Sequence, residues 1–368
     1  MPDPVSVVHN YTISEAKQFL RDHLAKAKYY PQQQTLDALY ESLYSGYPLL
    51  MEGPPGAGKT RLAEALAECM DLPLLKISCA EGIRREMVLY RWNREAQQVF
   101  LQQESMLGRN LDDIKHEMYT RRFLDLAPVA QAIEWAAQGR RSILVIDEID
   151  KLTPEASDLF LEPFSEWKVT IEMYTEGGCI KLSDPNFRPI VMLTSNAIRH
   201  GVSSPLRNRA LYTYIFPPTL SERIKILYQY TEGKLSKGVF TQFVNLVETI
   251  GKSNLQEPPS LRNFTRLAVV LASKNIKRFT LDTVAGHLCY IANNEPDLKK
   301  LESQCAFLLE VSRIIPPEIE QVADQLYEQA KSVPETPTHG LDRACTNILD
   351  RIDDLFEDIH YEEVARSR

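Results

Sequence analysis

The strongest constraint on this chain is a glycine-rich stretch, Gly53-Pro54-Pro55-Gly56-Ala57-Gly58-Lys59-Thr60, which fits the pattern G-x-x-x-x-G-K-[ST] at every fixed position. The apolar run 48–52 before it predicts a buried strand, and 61–70 after it predicts a helix. A glycine loop in this setting points backbone N–H groups and the positive end of a helix dipole at one place. An ordinary Gly/Pro turn is the alternative, but the flanking elements favour a nucleoside-triphosphate site of the Walker A type.

Each residue type in this loop has a chemical task. The ammonium group of Lys59 is expected to reach the β- and γ-phosphates, and the hydroxyl of Thr60 to hold Mg²⁺. Tyr29 or Tyr30 could pack against the base, although buried core tyrosines are an equally good interpretation of both. The residues that we expect to contact the nucleotide are Gly53, Pro54, Pro55, Gly56, Ala57, Gly58, Lys59, Thr60 and Arg61.

A second motif, Ser142-Ile-Leu-Val-Ile-Asp147-Glu148, is an apolar run that ends in two acids. The run predicts a central parallel strand buried on both faces, and its carboxyl end is where ligands bind in open α/β sheets. Such a pattern is weak alone, but after a complete Walker A motif it indicates a Walker B strand. Asp147 is then expected to hold the Mg²⁺ shell, and Glu148 to orient and deprotonate the attacking water.

Three further positions carry polar groups where a phosphate site could use them. Asn196 follows the buried run 189–194 and is expected at the γ-phosphate and the water, unless it is simply an Asn in a turn. Arg207 and Arg209 lie on a short predicted helix, where a surface pair that holds acids is the alternative. Arg262 lies in the first turn of a helix that follows Pro258-Pro259-Ser260, a sequence that predicts the end of one helix and the start of the next.

Composition excludes several classes of protein. The chain has 368 residues and a net charge of −8, so non-specific nucleic-acid binding is not expected. No apolar run approaches membrane-spanning length, and the first residues lack the pattern of a signal peptide. The six cysteines form no C-x-x-C pair and the seven histidines form no H-E-x-x-H motif, which predicts free thiols, no zinc site and a reducing cytoplasm.

The predicted fold class is α/β: a P-loop parallel sheet with flanking helices, then a helical lid and a helical C-terminal extension. Inside the core, 154–167 predicts one helix, and alternating Val169, Ile171 and Met173 predict a strand. The predicted parts are N-terminal helices over 1–46, an α/β core over 47–217, a lid over 218–300 and an acidic extension over 301–368. The core contains an insertion at 79–126, for which a long irregular loop is the alternative, and a β-hairpin at 168–189.

The order of these motifs resembles that of AAA+ ATPases, and the details are similar to the MoxR branch. The resemblance covers about 30 to 300 and rests on five segments: Leu-Leu-Met-Glu-Gly-Pro-Pro-Gly, Cys-Ala-Glu-Gly, Val-Ile-Asp-Glu-Ile-Asp, Leu-Thr-Ser-Asn and Pro-Leu-Arg-Asn-Arg-Ala-Leu-Tyr. The family has an insertion in helix two and a hairpin before sensor 1, which are the places of 79–126 and 168–189.

The resemblance implies a role for each remaining polar residue. Asn196 matches sensor 1, and Arg262 matches sensor 2 on the lid. Arg209, with Arg207 as the other candidate, matches the arginine finger that reaches the nucleotide of a neighbouring subunit. The resemblance also implies a cytoplasmic ATPase that uses ATP and Mg²⁺, forms a homo-oligomeric ring, typically a hexamer, and acts like a chaperone on a protein partner, often one with a von Willebrand factor A domain.

Three other functions fit the sequence less well than this one. An ATP-dependent nucleic-acid motor or loader is the main alternative, since related insert-bearing branches act on DNA, but the acidic charge and the hairpin tip at 175–179, which has no lysine or arginine, argue against it. Intact Lys59, Asp147, Glu148 and Asn196 argue against a nucleotide sensor that does not hydrolyse. A small-molecule kinase would have no use for the lid and its arginines.

Overall fold

The computed structural model describes residues 3–196 and 201–332. The strands are β1 (Leu49–Glu52), β2 (Leu74–Ser78), β3 (Tyr90–Trp92), β4 (Leu124–Leu126), β5 (Ile143–Asp147), β6 (Lys168–Thr170), β7 (Cys179–Lys181), β8 (Ile190–Ser195) and β9 (Leu211–Tyr214). The helices of the first half are α1 (Pro4–Asn10), α2 (Ile13–Lys26), α3 (Gln33–Ser45), α4 (Lys59–Met70), α5 (Arg85–Val88), α6 (Arg94–Met106), α7 (Leu111–Met118), α8 (Pro128–Ala137), α9 (Pro154–Ser157), α10 (Leu161–Glu166) and α11 (Ser204–Arg207). Those of the second half are α12 (Leu220–Tyr230), α13 (Lys237–Gly251), α14 (Leu261–Ser273), α15 (Leu281–Ala285), α16 (Glu295–Ser303), α17 (Cys305–Ser312) and α18 (Pro317–Ser332).

A five-stranded parallel sheet in the order β2-β5-β8-β1-β9 forms the centre of the α/β core, as the sequence predicted. All residues of β1 and β8 are buried, because helices cover both faces of the sheet. In the register, Glu52 lies opposite Ser195, and Ile146 lies opposite Leu193. The glycine loop, the two acids and Asn196 therefore leave three adjacent strands at the same edge of the sheet.

The first three helices pack on one face of this sheet together with α4. Thr12 and Glu15 form a capping box at the start of α2, and Gly46 ends α3 with a φ of 74°. One face of α3 is buried and joins α2, α4 and the sheet in one apolar cluster, which includes Leu36, Leu39, Tyr40 and Leu43. This packing fixes the direction in which α4 leaves the glycine loop.

The insertion at 79–126 is a folded unit, so the irregular-loop alternative is wrong. Strands β3 and β4 pair antiparallel, and helices α6 and α7 close over a small cluster of Phe100, Ile114 and Phe123. The insertion also binds the hairpin, since Trp92 Nε1 donates to the carbonyl of Glu172 at 3.2 Å.

Strands β6 and β7 form the predicted hairpin, but its strands are shorter than the alternation suggested. Val169 and Ile171 are buried, whereas Met173 is 64% exposed and has a φ of 64°. The chain leaves the ladder after Ile171 because the next residues bind the insertion; Thr175 N, for example, donates to the carbonyl of Tyr119 at 3.0 Å.

Two predicted helix boundaries were wrong. The segment 154–167 is α9, a 3₁₀ turn at Asp158–Phe160 and α10, because Pro163 has no N–H and its ring disfavours the regular bond to the preceding turn. Helix α13 ends at Gly251, before Pro258 and Pro259, where the turn-forming residues 251–254 stop it first. Ser260 does start α14, with a capping box to Asn263.

Helices α12 to α18 follow Pro217-Pro218 and share a second apolar core. Thr219 and Glu222 form a capping box that starts α12 immediately after the two prolines. No helix in the described parts of the chain has the length and hydropathy needed to cross a membrane. The predicted acidic end and Cys345 lie outside the described residues, whereas the other five cysteines are free thiols.

Candidate functional site

The glycine loop has the backbone that its sequence predicts. Gly56 and Gly58 have φ values of 78° and 94°, which a residue with a β-carbon adopts only with strain. A β-carbon on Gly53 would lie 2.4 Å from the carbonyl oxygen of Ile215, so only glycine fits between β1 and the chain that follows β9. Gly58 then starts α4, which directs its first N–H groups into the loop.

Lys59 is buried against the loop, and its ammonium group contacts three oxygens. It donates to the carbonyls of Gly53 and Pro54 at 2.7 and 3.0 Å, and to Oδ1 of Asn196 at 2.7 Å. Burial lowers the pKa of Lys59, although the negative charges of Asp147, Asp150 and Glu148 oppose that shift. A cation of this kind is well suited to phosphate oxygens, because little water has to be removed before it binds them.

Asp147 lies at the centre of a hydrogen-bond network at the end of β5. Its Oδ1 accepts from Thr60 Oγ1 at 3.0 Å and from Thr194 Oγ1 at 2.5 Å, and its Oδ2 is 2.9 Å from Lys76 Nζ. Burial would raise the pKa of this carboxyl group, but the hydrogen bonds and the charge of Lys76 outweigh it and lower the pKa. The carboxylate is therefore charged and adjacent to the Thr60 hydroxyl, and together they form a hard-oxygen donor set that suits Mg²⁺.

Glu148 stands in the left-handed region with a φ of 56°, which turns its side chain away from the direction of β5. Its N–H donates to Thr194 Oγ1 at 2.9 Å, so one threonine hydroxyl positions both acids. Its carboxylate is 2.5 Å from Lys151 Nζ and 3.5 Å from Asn196 Nδ2. Asn196 itself is fixed by its backbone N–H, which donates to Asp150 Oδ1 at 3.1 Å.

The two arginines of α11 and its C-terminal turn do not contact this network. Arg207 Nη2 is 3.2 Å from Oε1 of Glu52, the buried residue that precedes the glycine loop. Arg209 donates to Ser165 Oγ at 2.5 Å and to the carbonyl of Pro205 at 2.7 Å. Neither side chain bonds Lys59, Asp147 or Glu148 in its own chain.

The start of α14 lies against the glycine loop. A β-carbon on Gly56 would be 3.1 Å from Cβ of Ser260 and 4.0 Å from N of Leu261. Arg262 follows in the first turn of α14, is exposed, and bonds no side chain of the described residues. Its guanidinium group is thus carried on the helix whose first residues lie against the loop.

Tyr29 lies against the glycine loop, whereas Tyr30 contacts α12. Cε2 of Tyr29 would be 3.4 Å from a β-carbon on Gly58, and burial raises its pKa. The hydroxyl of Tyr30 accepts from Gln229 Nε2 of α12. The guanidinium of Arg61 pairs with Glu68 at 2.8 Å and donates to the carbonyl of Ala27 at 2.6 Å, and its expected contact with the nucleotide stays a prediction.

Sequence reasoning missed Thr194, Lys76 and Lys151. Thr194 had a detectable signal, since a hydroxyl near the end of an otherwise apolar buried strand needs a partner. Lys76 interrupts the run Leu74-Leu-Lys-Ile-Ser78 on the strand next to β5, but only the register shows that it reaches Asp147. Lys151 had no such signal.

Comparison with known proteins identifies a family that is consistent with the fold described above. Residues 48–210 match the model of the AAA domain, dynein-related subfamily. The chain is similar to protein CbbQ of Allochromatium vinosum, with 38% identity over 70 residues that cover 19% of this chain and 90% of that protein.

Two longer matches have lower coverage of the relatives. The chain is 26% identical over 198 residues to a pachytene checkpoint protein 2 homolog of Arabidopsis thaliana, which covers 53% of this chain and 37% of that protein. It is 32% identical over 172 residues to an uncharacterized protein of Staphylococcus aureus, which covers 45% of this chain and 54% of that protein. The chain thus spans between about a third and about half of these two relatives.

Proposed function

Because this chain belongs to the AAA ATPase family, we propose that it hydrolyses ATP to ADP and phosphate and uses the cycle to remodel or activate a protein partner. The observation that carries the ATPase proposal is that Lys59, Asp147, Glu148 and Asn196 meet at the carboxyl ends of three adjacent strands, with Lys59 and Asn196 in direct contact at 2.7 Å. These groups supply the cation, the metal-side carboxylate, the base and the amide that phosphoryl transfer to water requires.

The residues divide the chemistry as follows. The N–H groups of the glycine loop and the ammonium of Lys59 would bind the phosphates, and the oxygens of Thr60 and Asp147 would hold Mg²⁺, which neutralises charge on the phosphates when it is bound. Glu148 would accept a proton from the attacking water, and Asn196 would orient that water or the γ-phosphate. Contact with Asn196 and Lys151 keeps the Glu148 carboxylate close to this position.

The lid would couple nucleotide binding to movement. Ser260 at the start of α14 lies against Gly56, and Gln229 of α12 donates to Tyr30 of the core. A phosphate at the loop would attract the exposed guanidinium of Arg262 and pull α14 toward it. Release of the γ-phosphate would weaken that attraction, so the lid would move against the core in each cycle.

Ring assembly is supported by Arg207 and Arg209, neither of which bonds Lys59, Asp147 or Glu148 in the nucleotide site of its own chain. Arg209 is partly exposed and, among the residues that the structure describes, bonds only Ser165 and the carbonyl of Pro205, so we expect that it can be released at modest cost to act in a neighbouring subunit. Arg207 is already paired with Glu52, which makes it the second candidate. We therefore propose a homo-oligomeric ring, a hexamer as in the MoxR branch that the sequence resembles, with Arg209 as the finger.

A protein partner is favoured over a nucleic acid by the hairpin. Its loop, 171–178, contains no lysine or arginine, and part of it is bound to the insertion through Thr175 and Tyr119. A partner with a von Willebrand factor A domain is the form that the MoxR resemblance suggests. A DNA motor would instead present cations at such a tip.

The direct test is ATP turnover by purified full-length chain with Mg²⁺, compared with Glu148→Gln. We expect the parent to release phosphate and the variant to bind ATP with little turnover, because an amide cannot take the proton of water. Turnover by Glu148→Gln at the parent rate would show that Glu148 is not the base, and no turnover by a well-folded, assembled parent would overturn the ATPase proposal.

A further inference from the structure

A cavity lies at the opposite edge of the central sheet from the candidate nucleotide site. Its volume is about 180 Å³, and it is bordered by the residues that enter β1 and β8 and by α1. Strand β8, six residues long, runs from this cavity to Asn196, a distance of roughly 20 Å at the usual rise per residue. The cavity is therefore separate from the site described above.

Arg188 is one of the residues that line this cavity. A β-carbon on Gly46 would lie 3.1 Å from Nη1 and 3.3 Å from Cδ of Arg188, so the arginine passes directly over the glycine that ends α3. Its Nε is fully buried and has no hydrogen-bond partner, and its guanidinium forms no ion pair with the described residues. A buried guanidinium donor without an acceptor costs free energy, which an anion in the cavity would recover.

Arg141 adds a second guanidinium at the same place. It is 7% exposed, its Nε is 2.8 Å from Asp3 Oδ1, and it donates to the carbonyls of Asn186 and Arg188. Asp3 neutralises one of the two positive charges. None of the described residues that line the cavity has a carboxylate, so the charge of Arg188 remains uncompensated.

Other donors line the cavity from separate segments of the chain. They are His9 of α1, Tyr44 of α3 and Tyr47 before β1, and Tyr44 and Tyr47 are 52% and 58% exposed. Donor-bearing side chains on several sides suit a tetrahedral oxyanion better than a planar carboxylate, and the volume exceeds that of a single carboxylate group.

We propose that this cavity is a binding site for phosphate, either free or as the phosphate group of a small molecule, with Arg188 as its main ligand. Arg141 fixes the carbonyl of Arg188 and adds positive charge behind it. Occupancy would tie α1 to the entrances of β1 and β8, and these two strands lead to the glycine loop and to Asn196. The site needs no ATP turnover, so it does not depend on the proposed function.

Calorimetric titration of inorganic phosphate into the full-length chain, saturated beforehand with a non-hydrolysable ATP analogue and Mg²⁺ so that the γ-phosphate position is filled, tests this assignment. The titration of the analogue, done first, reports separately on the nucleotide site. We expect one phosphate site in the parent, at least tenfold weaker binding in Arg188→Gln, and intermediate affinity in Arg188→Lys, which keeps the charge but not the fork of N–H groups.

Arg140→Gln is the matched control. Arg140 stands next to Arg141 in the sequence and its guanidinium is 4.5 Å from the Trp135 ring, outside the cavity lining. The Arg140→Gln variant loses the same charge as Arg188→Gln, but at a position outside the cavity. Its affinity for phosphate should therefore equal that of the parent. Thermal unfolding of each variant verifies that it is folded. Absence of phosphate binding in the parent, equal affinity in folded Arg188→Gln, or binding of acetate in preference to phosphate would each overturn the assignment.

Discussion

The ammonium group of Lys59 donates to the side-chain oxygen of Asn196 across 2.7 Å, although 137 positions separate the two residues in the sequence. The contact exists because β1 and β8 are hydrogen-bonded neighbours whose carboxyl ends coincide. The amide of Asn196 also approaches Glu148 at 3.5 Å, so one side chain stands between the cation of the phosphate loop and the proposed base.

Asn196→Ala is expected to lower kcat by about 10²-fold, the usual effect of removing one positioned donor at a reacting phosphate or oxyanion. ATP affinity should change little, since Lys59 and the loop amides remain. Steady-state turnover and nucleotide titration measure the two quantities. Asn196→Gln, which keeps the amide on a longer arm, is the control and should recover part of the rate. A parent-like kcat in the alanine variant would remove Asn196 from the chemistry.

Thr194→Val is expected to shift the acid side of the pH–rate profile to higher pH. In the parent the pKa of Asp147 is lowered, so the carboxylate stays charged as the pH falls. Loss of the Thr194 donor raises that pKa, and Asp147 then becomes protonated, and Mg²⁺ lost, at a less acid pH. The partly buried N–H of Glu148 also loses its acceptor, at a cost of about 0.5–1.5 kcal/mol of stability.

The pH profile of Mg²⁺-dependent turnover tests the predicted shift, and thermal unfolding tests the predicted loss of stability. Thr194→Ser keeps the hydroxyl and should retain the parent profile. If the turnover of Thr194→Val and of the parent falls at the same acid pH, the hydrogen bond from Thr194 does not control the charge of Asp147.

The parts of this site that the sequence predicted are those that strand order determines. A glycine loop after one buried strand, two acids after another and Asn196 after a third must meet if the strands are parallel neighbours. Sequence could not show that Lys76 reaches Asp147, because this depends on the register of β2 against β5, nor that Arg61 turns toward Glu68. Pro163 was a local signal for a break in the helix, but the helical spacing of the apolar residues in 154–167 outweighed it in the prediction.

Arg262→Ala is expected to weaken the coupling between nucleotide and lid. In the parent, ATP should protect the Pro217-Pro218 segment from proteolysis, because the guanidinium of Arg262 would draw α14 toward the phosphates. The variant should bind ATP more weakly and lose most of that protection. Arg266→Ala is the matched control, since Arg266 is also exposed and stands one turn further along α14. Equal ATP protection of the parent and Arg262→Ala would exclude Arg262 from the site.

Arg209→Ala tests whether one subunit completes the site of another. The variant should bind ATP about as tightly as the parent, because Arg209 contacts none of the loop residues in its own chain. Its turnover should fall by about 10³–10⁵-fold, the typical contribution of an arginine finger. Turnover per subunit of the parent should also rise with protein concentration as the oligomer assembles.

The decisive observation is the activity of oligomers that contain both Arg209→Ala and Glu148→Gln subunits. A Glu148→Gln subunit has no working base but keeps Arg209, so in a mixed ring it could place its arginine at the intact site of an Arg209→Ala neighbour. Part of the activity should therefore return when the two inactive variants are combined, and mass measurement verifies that mixed oligomers form. Arg207→Ala, combined with Glu148→Gln in the same way, tests the second candidate. If mixed oligomers of neither arginine variant regain activity, and turnover per subunit does not depend on concentration, the site is complete within one chain, and the proposal that a ring neighbour supplies an arginine to it is wrong.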